Sequence, residues 1–404
     1  MTRGAAPVRH GSRARSQSIG RILAVAVAAA LGFAIVFAQS LASSVSASIT
    51  AADIDSLVST SPDTPVEHTD GQPLNLLLMG SDVRTGENGD IGGRVADGMR
   101  NDTTIIVHLS GDRERAQIVS IPRDLQVEIS DCTLYDGTRV GGGYGDFNVA
   151  FSNGGSGGDA AEAAACVINT VHDQFDLRID HFAVVDFTGF IDMVDALGGI
   201  PMCVPERIVS SKAHLDLEPG PQVFDGVTAL NYARLRTAEV GDVSGSDLQR
   251  IQRQQQLLEQ TVRTARSQNL FADAAAVTRF VRAGAESLTT DDELGSLSYL
   301  GALAYDLRGL RPEDLTFATI PWEYTDDRLN VVMTADAELM LDDLRHDRPL
   351  SVAAQGDSTS EWDDGLAEPT EEATATPAPD AASDDAADAG EPESVEDILA
   401  LCRN

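Results

Sequence analysis

Three apolar segments of strand length follow one another along the chain, and each has charged side chains close to one end. The segments are LNLLLMG at 74–80, DTTIIVHLS at 102–110 and AQIVSIPRD at 116–124. Continuous apolar runs of this length are typical of strands that are buried on both faces. Because such strands need helices to cover them, the pattern predicts an α/β domain built on a central sheet.

Helical patterns alternate with further strand patterns in the rest of the domain. We predict helices at 159–175, from Ser246 onward, at 292–309 and at 335–345, and a strand that runs into a helix at 181–199. Short strands are predicted at 315–320, at 329–333 and in ALNYARLR at 229–236. This alternation predicts an α/β fold with a mixed central β-sheet flanked by helices.

An uncharged apolar segment at 22–42 is long enough to cross a bilayer as a helix. Five arginines and no acidic residue precede it, so the positive-inside rule keeps the N-terminus in the cytoplasm and exports the rest. A cleaved signal peptide is the alternative, because SVSAS at 44–48 resembles a cleavage site, although the apolar run exceeds a usual signal-peptide core. We predict a single-pass membrane protein with an extracytoplasmic domain.

The negative charge of the chain is unevenly distributed, and a large part of it lies near the end. The formal net charge is -35, and residues 357–397 hold fifteen Asp and Glu with no Lys or Arg. Such a segment is typical of disorder, and it says little about what the domain binds. The predicted organisation is a cytoplasmic head at 1–21, a transmembrane helix at 22–42, a tether at 43–71, the domain at 72–349 and a disordered acidic tail at 350–404. The head is too short for a DNA-binding domain, so no nucleic-acid partner is expected.

Four cysteines are compatible with an oxidising compartment. If a disulfide forms, Cys132 with Cys166 is the preferred pair, because it would pin the Gly-rich loop between them. Cys203 follows a strand-like run and is interpreted as a buried thiol.

Arginines and amides cluster in the segment NYARLRTAEVGDVSGSDLQRIQRQQQ at 231–256. Arg234 and Arg236 are two apart, so on a strand their side chains leave the same face. Asp247, Arg250 and Gln254 are three and four apart and share a helix face. Guanidinium groups match phosphate oxygens two at a time, so the pattern indicates a ligand that carries phosphate. A solvated helix face is the alternative, and Arg253 is interpreted as a surface residue.

Carboxylates stand at the ends of the three apolar strands. Asp82 follows the first strand. Asp102 and Arg100 lie at the start of the second strand, and Arg123 and Asp124 lie at the end of the third. Two carboxylates that meet at one sheet edge would hold a hard cation such as Mg²⁺. The alternative is that these aspartates only form turns.

Seven segments, in this order and at this approximate spacing, resemble the LytR-CpsA-Psr family. They are LNLLLMGSDVR, RNDTTIIVHL, VSIPRDLQVEI, FNVAFSNGG, IDHFAVVDFTGFIDMVDALGGIPM, LEPGPQVFDGVTALNYARLR and DLQRIQRQQQLL. The resemblance implies a membrane-anchored, Mg²⁺-dependent phosphotransferase that moves a glycopolymer from a polyprenyl pyrophosphate carrier onto peptidoglycan.

The resemblance also implies roles for individual residues. Asp82 and Asp102 would bind Mg²⁺. The charge that develops in phosphoryl transfer then makes Arg123 a candidate catalytic residue, together with Asp124 and Asp247 as candidate proton acceptors. The pyrophosphate would be bound by Arg100, Arg123, Arg234, Arg236, Arg250 and Gln254. The family more usually has Ser where Asn101 stands. Asp124 and Asp247 remain alternatives for the general base, and a pyrophosphatase or a non-catalytic scaffold that binds lipid-linked glycan remain alternative functions.

Overall fold

The computed structural model describes residues 49–59, 71–82, 99–241, 243, 247–267, 283, 288–326 and 330–351. They belong to the second of the two compact units of the chain, Ile49–Asn404, whereas the first unit, Met1–Ser48, lies outside the described residues. The predicted transmembrane helix at 22–42 lies outside them too, as does the predicted acidic tail from residue 352 onward. No helix in the described ranges is both long and apolar enough to cross a membrane.

The strands are short except for two that form the centre of the domain. In chain order they are β1 Thr50–Ala51, β2 Leu74–Asp82, β3 Arg100–Leu109, β4 Ala116–Ile121, β5 Gln126–Ile129, β6 Cys132–Thr133, β7 Arg139–Val140, β8 Gly143–Asp146, β9 His181–Asp186, β10 Ile200–Val204, β11 Ile208–Ser210, β12 Leu215–Leu217, β13 Gly220–Phe224, β14 Leu288–Thr290, β15 Leu315–Thr319, β16 Trp322–Tyr324 and β17 Val331–Met333. The three apolar segments identified in the sequence are β2, β3 and β4.

The α-helices of the described residues are α1 Val149–Gly154, α2 Ala160–Phe175, α3 Phe187–Ala196, α4 Gly226–Ala233, α5 Asp247–Ser267, α6 Leu297–Asp306 and α7 Ala335–Arg345. Capping carboxylates begin several of them. Asp159 accepts hydrogen bonds from the amides of Ala161 and Glu162 at the start of α2, and Asp186 accepts one from the Gly189 amide at the start of α3. These bonds satisfy amides that have no partner within the helix.

The central seven-stranded sheet has the order β1-β14-β9-β2-β3-β4-β15. β2 is antiparallel to β3 and parallel to β9, while β4 is antiparallel to β3 and parallel to β15. The sheet is therefore mixed, as the sequence predicts. Because β3 runs against both of its neighbours, its amino-terminal end lies beside the carboxyl ends of β2 and β4.

Alternating side chains of the central strands enter two separate cores. Leu77, Ile106 and Val119 lie in the larger core, which also contains apolar residues of α1, α2 and α7. Ile105 and Ile118, one residue earlier along their strands, lie in the other core with residues of α6. Burial on both faces explains why these strands are continuously apolar.

A third core lies beneath the segment that carries the predicted arginines. It joins the antiparallel strand pairs β10–β13 and β11–β12 to α4 and includes Met202, Phe224, Tyr232, Leu235 and Leu257. Leu257 comes from α5, so this core packs α5 against the end of α4.

Residues 49–59 belong to the fold although the sequence analysis places them in the tether. β1 pairs in parallel with β14, and the side chains of Ile54 and Leu57 are buried in the larger core. The Asn169 side chain of α2 also binds the carbonyl oxygen of Leu57. The apolar residues here are too widely spaced to form the continuous pattern of a buried strand, so the sequence did not reveal them.

The predicted disulfide between Cys132 and Cys166 is present and joins β6 to α2. Both residues are buried with Leu134, and partly buried Val140 packs beside them. The interpretation of Cys203 as a buried thiol is wrong, because its side chain is exposed on β10 and is disulfide-bonded. Alternate residues of β10 face the third core, and Cys203 lies on the other face.

Replacing Cys132 and Cys166 together by serine should lower the free energy of unfolding by about 2–4 kcal/mol. The bond closes a loop of 34 residues in sequence separation, which restricts the unfolded chain. Guanidinium unfolding of the variant and of the unaltered protein, both without reductant, measures the difference. Equal unfolding midpoints and slopes would contradict the prediction.

Candidate functional site

Three strand ends bring the predicted carboxylates and arginines to one edge of the sheet. Asp82 ends β2 and is paired in register with Arg100 at the start of β3. Arg123 and Asp124 follow the carboxyl end of β4, which is the strand on the other side of β3. The antiparallel direction of β3 therefore places the three sequence motifs next to one another.

Asp102 occupies a β-bulge between β2 and β3. Gly80 is paired with Thr103 and Ser81 with Asn101, so Asp102 has no partner residue on β2. A bulge bends its strand and changes the direction of a side chain. It frees Asp102 from the regular alternation of β3.

Two arginines from separate parts of the chain bind the same oxygen of Asp102. Arg123 Nη1 lies 3.0 Å and Arg236 Nη2 lies 3.3 Å from Asp102 Oδ1. Arg123 is held by a second carboxylate too, because its Nε lies 3.1 Å from Asp124 Oδ1. The Arg250 side chain is nearly fully buried, at 2% exposure, and interacts electrostatically with Asp102.

The arginines determine the protonation state of Asp102. Burial alone would raise the pKa of this carboxyl, but the positive charges of Arg250, Arg123 and Arg236 outweigh burial and lower it. Asp102 is therefore ionised throughout the neutral range. The site combines a fixed negative charge with an excess of positive charge around it.

The predicted strand at 229–236 is wrong, because most of this segment forms α4. Asp225 caps the helix by accepting a hydrogen bond from the Thr228 amide at 2.8 Å, and α4 ends at Ala233. A short apolar run fits either a strand or a helix, and periodicity alone does not separate them. Arg234 and Arg236 therefore do not share a strand face: they follow the end of α4.

Arg234 and Arg236 nevertheless lie in neighbouring environments. The guanidinium carbon of Arg234 lies 4.3 Å from the ring centroid of Phe187, the first residue of α3, which is a cation–π contact. Arg236 reaches Asp102 from across the site. The two arginines thus connect the end of α4 to the carboxyl edge of the sheet, because Phe187 directly follows β9.

Helix α5 contributes the remaining predicted residues and is fixed to the same edge. Gln255 Nε2 donates hydrogen bonds to Ser120 Oγ at 3.2 Å, to the Ala318 carbonyl at 3.0 Å and to Thr319 Oγ1 at 3.2 Å. These three partners are at the carboxyl ends of β4 and β15. Asp247 begins α5, but its side chain lies outside the described residues.

Arg253 is not a surface residue, contrary to the interpretation from sequence. Its side chain is 8% exposed, and its Nη2 donates a hydrogen bond to the Leu235 carbonyl. Gln254 Nε2 similarly donates to the Ala233 carbonyl at 3.2 Å. Arg253 is three residues after Arg250, so helical spacing places it on the same face, and this signal was available in the sequence.

The oxygen atoms at this sheet edge are of the kind that binds a hard cation. Asp82 and Asp102 supply carboxylate oxygens, and the buried Ser81 Oγ and Asn101 Oδ1 beside them have no hydrogen-bond partner among the described residues. Oxygen ligands are those that Mg²⁺ prefers, and it commonly keeps water and substrate phosphate as its other ligands. Within the ranges described here, no group of three His, Cys, Asp or Glu side chains is arranged to hold a metal.

The architecture is that of a mixed α/β domain whose sheet edge carries an arginine–aspartate cluster. The model of the LytR_cpsA_psr family matches residues 38–345, and the chain belongs to this family. The match begins before the predicted start of the domain at 72, in agreement with the packing of residues 49–59.

Two curated relatives show how far this similarity extends. The chain is 35% identical over 216 residues to the probable cell wall biosynthesis protein LcpB of Corynebacterium glutamicum, covering 52% of this chain and 46% of the relative. It is 30% identical over 264 residues to the polyisoprenyl-teichoic acid–peptidoglycan teichoic acid transferase TagU of Halalkalibacterium halodurans, covering 62% of this chain and 75% of the relative. The match thus spans about half the length of the Corynebacterium glutamicum relative.

A solved structure supports the fold. The LytR-Csp2A-Psr enzyme from Actinomyces oris has a TM-score of 0.53 and 22% sequence identity, with 73% of this chain and 95% of that chain covered. At this identity, the comparison establishes a common architecture.

Asp102→Asn should lower the free energy of unfolding at pH 7 by about 1 kcal/mol, because Arg123 and Arg236 lose their shared anion. The folded-state pKa of Asp102 is below its ordinary value of 3.8, so its ionisation stabilises the protein above that pH. This stabilisation is lost as the pH falls through the lower folded-state value. Urea unfolding of both proteins from pH 7 to pH 3 should show a difference that narrows in acid.

The matched control is Asp216→Asn. Asp216 also pairs with an arginine at 3.0 Å, but its side chain is 63% exposed. Its replacement should change stability by less than about 0.5 kcal/mol. A difference between Asp102→Asn and the unaltered protein that is constant from pH 7 to pH 3 would contradict the assignment.

Proposed function

We propose that this protein is a phosphotransferase that moves a glycopolymer phosphate from a polyprenyl pyrophosphate carrier to peptidoglycan in bacterial cell-wall assembly. The observation that carries the proposal is the convergence of Arg123, Arg236 and Arg250 on Asp102 from three separate elements. Asp102 and Asp124 bring two negative charges to these three guanidiniums, so the cluster favours a ligand with further negative charge. The similarity to the Halalkalibacterium halodurans relative, a polyisoprenyl-teichoic acid–peptidoglycan teichoic acid transferase, supports this substrate class.

The pyrophosphate would bind among the guanidiniums at the sheet edge. Arg123 and Asp124 come from the end of β4, Arg236 follows α4, and Arg250 is on α5, so the ligand would be surrounded by separately anchored groups. Planar guanidiniums bind two phosphate oxygens at once and fix the orientation of the ligand. The full proposed binding set is Arg100, Arg123, Arg234, Arg236, Arg250 and Gln254.

The reaction would replace one phosphorus–oxygen bond by another. A hydroxyl oxygen of the glycan acceptor attacks the sugar-side phosphorus, the bond from that phosphorus to the bridging oxygen breaks, and the polyprenyl monophosphate leaves. The hydroxyl proton passes to a carboxylate, for which Asp124 and Asp247 are the two candidates. The arginines stabilise negative charge that builds up on the phosphate oxygens.

Asp82 and Asp102 are the residues proposed to hold Mg²⁺. When bound, Mg²⁺ would neutralise charge on the phosphate oxygens beside the arginines. Asp102 would then serve two roles, because it also binds Arg123 and Arg236.

The proposed substrate also determines where the protein would act. A polyprenyl chain resides in a membrane, and the sequence carries an uncharged segment at 22–42 after an arginine-rich head. We propose that this segment anchors the chain, with the N-terminus in the cytoplasm and the catalytic domain outside it, where peptidoglycan is the acceptor.

A product analysis tests the proposal against hydrolysis and against binding alone. Full-length protein is incubated with Mg²⁺, a polyprenyl-pyrophosphate-linked glycan and a peptidoglycan fragment, and the products are identified by mass spectrometry. A glycan joined to the acceptor through phosphate supports transfer. Free sugar phosphate that does not depend on the acceptor would identify a pyrophosphatase, and unchanged lipid-linked glycan would identify a binding scaffold.

Arg123→Ala and Arg236→Ala should each reduce the transfer rate by about 100-fold or more, because each removes charge stabilisation that develops during the reaction. The same product assay measures the rates. Arg311→Ala is the matched control: Arg311 is 61% exposed and precedes β15, at the opposite end of the sheet from the site. Full activity in either site variant would contradict the assignment, provided that the control is active.

A further inference from the structure

Two consecutive residues of α5 contact the backbone that presents the site arginines. Arg253 Nη2 donates a hydrogen bond to the Leu235 carbonyl, and Gln254 Nε2 donates to the Ala233 carbonyl. Leu235 lies between Arg234 and Arg236 in the sequence and is fully buried. The two contacts therefore act on the backbone on either side of Arg234 and directly before Arg236.

Backbone hydrogen bonds hold the start of this segment to α4: the Arg234 amide donates to the Leu230 carbonyl at 3.0 Å and the Leu235 amide to the Tyr232 carbonyl at 3.3 Å. α4 ends at Ala233, and residues 235–238 lie in neither a helix nor a strand. A third carbonyl, that of Thr237, accepts a hydrogen bond from Ser210 Oγ at 2.7 Å. Three side chains thus donate to alternate carbonyls, those of Ala233, Leu235 and Thr237. The position of Arg236 depends on these contacts.

The chemistry of Arg253 is unusual for a residue that only fills the core. Arg253 is 8% exposed, and the side chain that acts on it electrostatically is Tyr232 rather than a carboxylate. An uncompensated buried charge opposes folding, and an apolar side chain of similar length would avoid that cost. Burial correspondingly lowers the pKa of Arg253.

We propose that Arg253 is a positioning residue that holds the 233–237 segment so that Arg236 reaches the pyrophosphate site. The inference rests on the proposed function, since it concerns the same site. Arg253 does not itself need to touch the ligand. Its guanidinium orders the Leu235 carbonyl, and Arg236 then extends to Asp102 at 3.3 Å.

Binding of inorganic pyrophosphate in the presence of Mg²⁺ tests the proposal, with calorimetry on the full-length protein. Arg253→Met keeps the aliphatic stem and should weaken binding by about 10-fold, which is roughly the value of one charged hydrogen bond. Arg253→Lys keeps a donor and should recover part of the affinity. Arg263→Met is the control, because Arg263 is on the same helix in a half-exposed ion pair with Glu259. The affinity of this variant for pyrophosphate should equal that of the unaltered protein.

A double-mutant cycle separates positioning from general destabilisation. If Arg253 acts through Arg236, then Arg253→Met should cause little further loss of affinity in a protein that already carries Arg236→Ala. Fully additive losses would overturn the proposal, as would unchanged affinity in Arg253→Met when the unaltered protein binds pyrophosphate.

Hydrogen exchange of residues 233–238 provides a readout that is independent of ligand. Arg253→Met should accelerate exchange of these amides, whereas the Arg263→Met control should not. If the unaltered protein does not bind pyrophosphate, the proposed function fails. Unchanged exchange in Arg253→Met overturns the positioning role in every case. If Arg253→Met does not fold, Arg253→Lys takes its place in both measurements. Unchanged affinity or unchanged exchange in Arg253→Lys would then overturn the positioning role.

Discussion

The shared ion pairs of Asp102 hold together a site in which the arginine side chains would otherwise repel one another. Arg123 comes from the end of β4 and Arg236 from the segment after α4, and both bind Asp102 Oδ1. Without a negative charge between them, these two guanidiniums would repel each other. The bulge at Gly80 and Ser81 is the backbone feature that leaves Asp102 outside regular pairing, so the electrostatics of the site depend on the irregularity of one strand pair.

The position of α5 follows from contacts on two of its sides. Gln255 binds the carboxyl ends of β4 and β15, while Arg253 and Gln254 bind the segment after α4. Leu257 packs into the third core, one turn further along the helix. The helix therefore connects the central sheet to the third core. Arg250 thus belongs to an element that is fixed to both the sheet and that core.

The sequence was most informative where burial produced a simple pattern. The three apolar strands, the mixed sheet and the helix Ala160–Phe175 were predictable because burial on both strand faces, or along one helix face, repeats regularly. The predicted strand at 229–236 failed because a short apolar segment fits both periods, and the Asp225 cap decides in favour of a helix. Residues 49–59 were missed because isolated apolar residues become a core only when distant parts of the chain meet.

The same limit applies to the site. Arginines and aspartates were identifiable as candidates, since their spacing and their places at strand ends were visible, but their mutual distances depend on the strand order. No pattern in the sequence predicts the β-bulge at Asp102, because the bulge is a change in the register between β2 and β3. Arg253 was misjudged because a charged residue on a polar helix is usually exposed, whereas here the end of α4 covers it.

Arginine is the residue that such a site requires, and the chain has 29 Lys+Arg with Lys212 as its single lysine. Arg250 is 2% exposed and Arg253 is 8% exposed, and both lie on one face of α5. A guanidinium is more weakly hydrated than an ammonium group and stays charged when it is buried, so these positions hold their positive charge where a lysine would tend to lose its proton. The positive charge is therefore local and permanent. The net charge of -35 does not conflict with this local positive charge, because fifteen of the 64 Asp and Glu residues lie at 357–397, a segment that has no Lys or Arg.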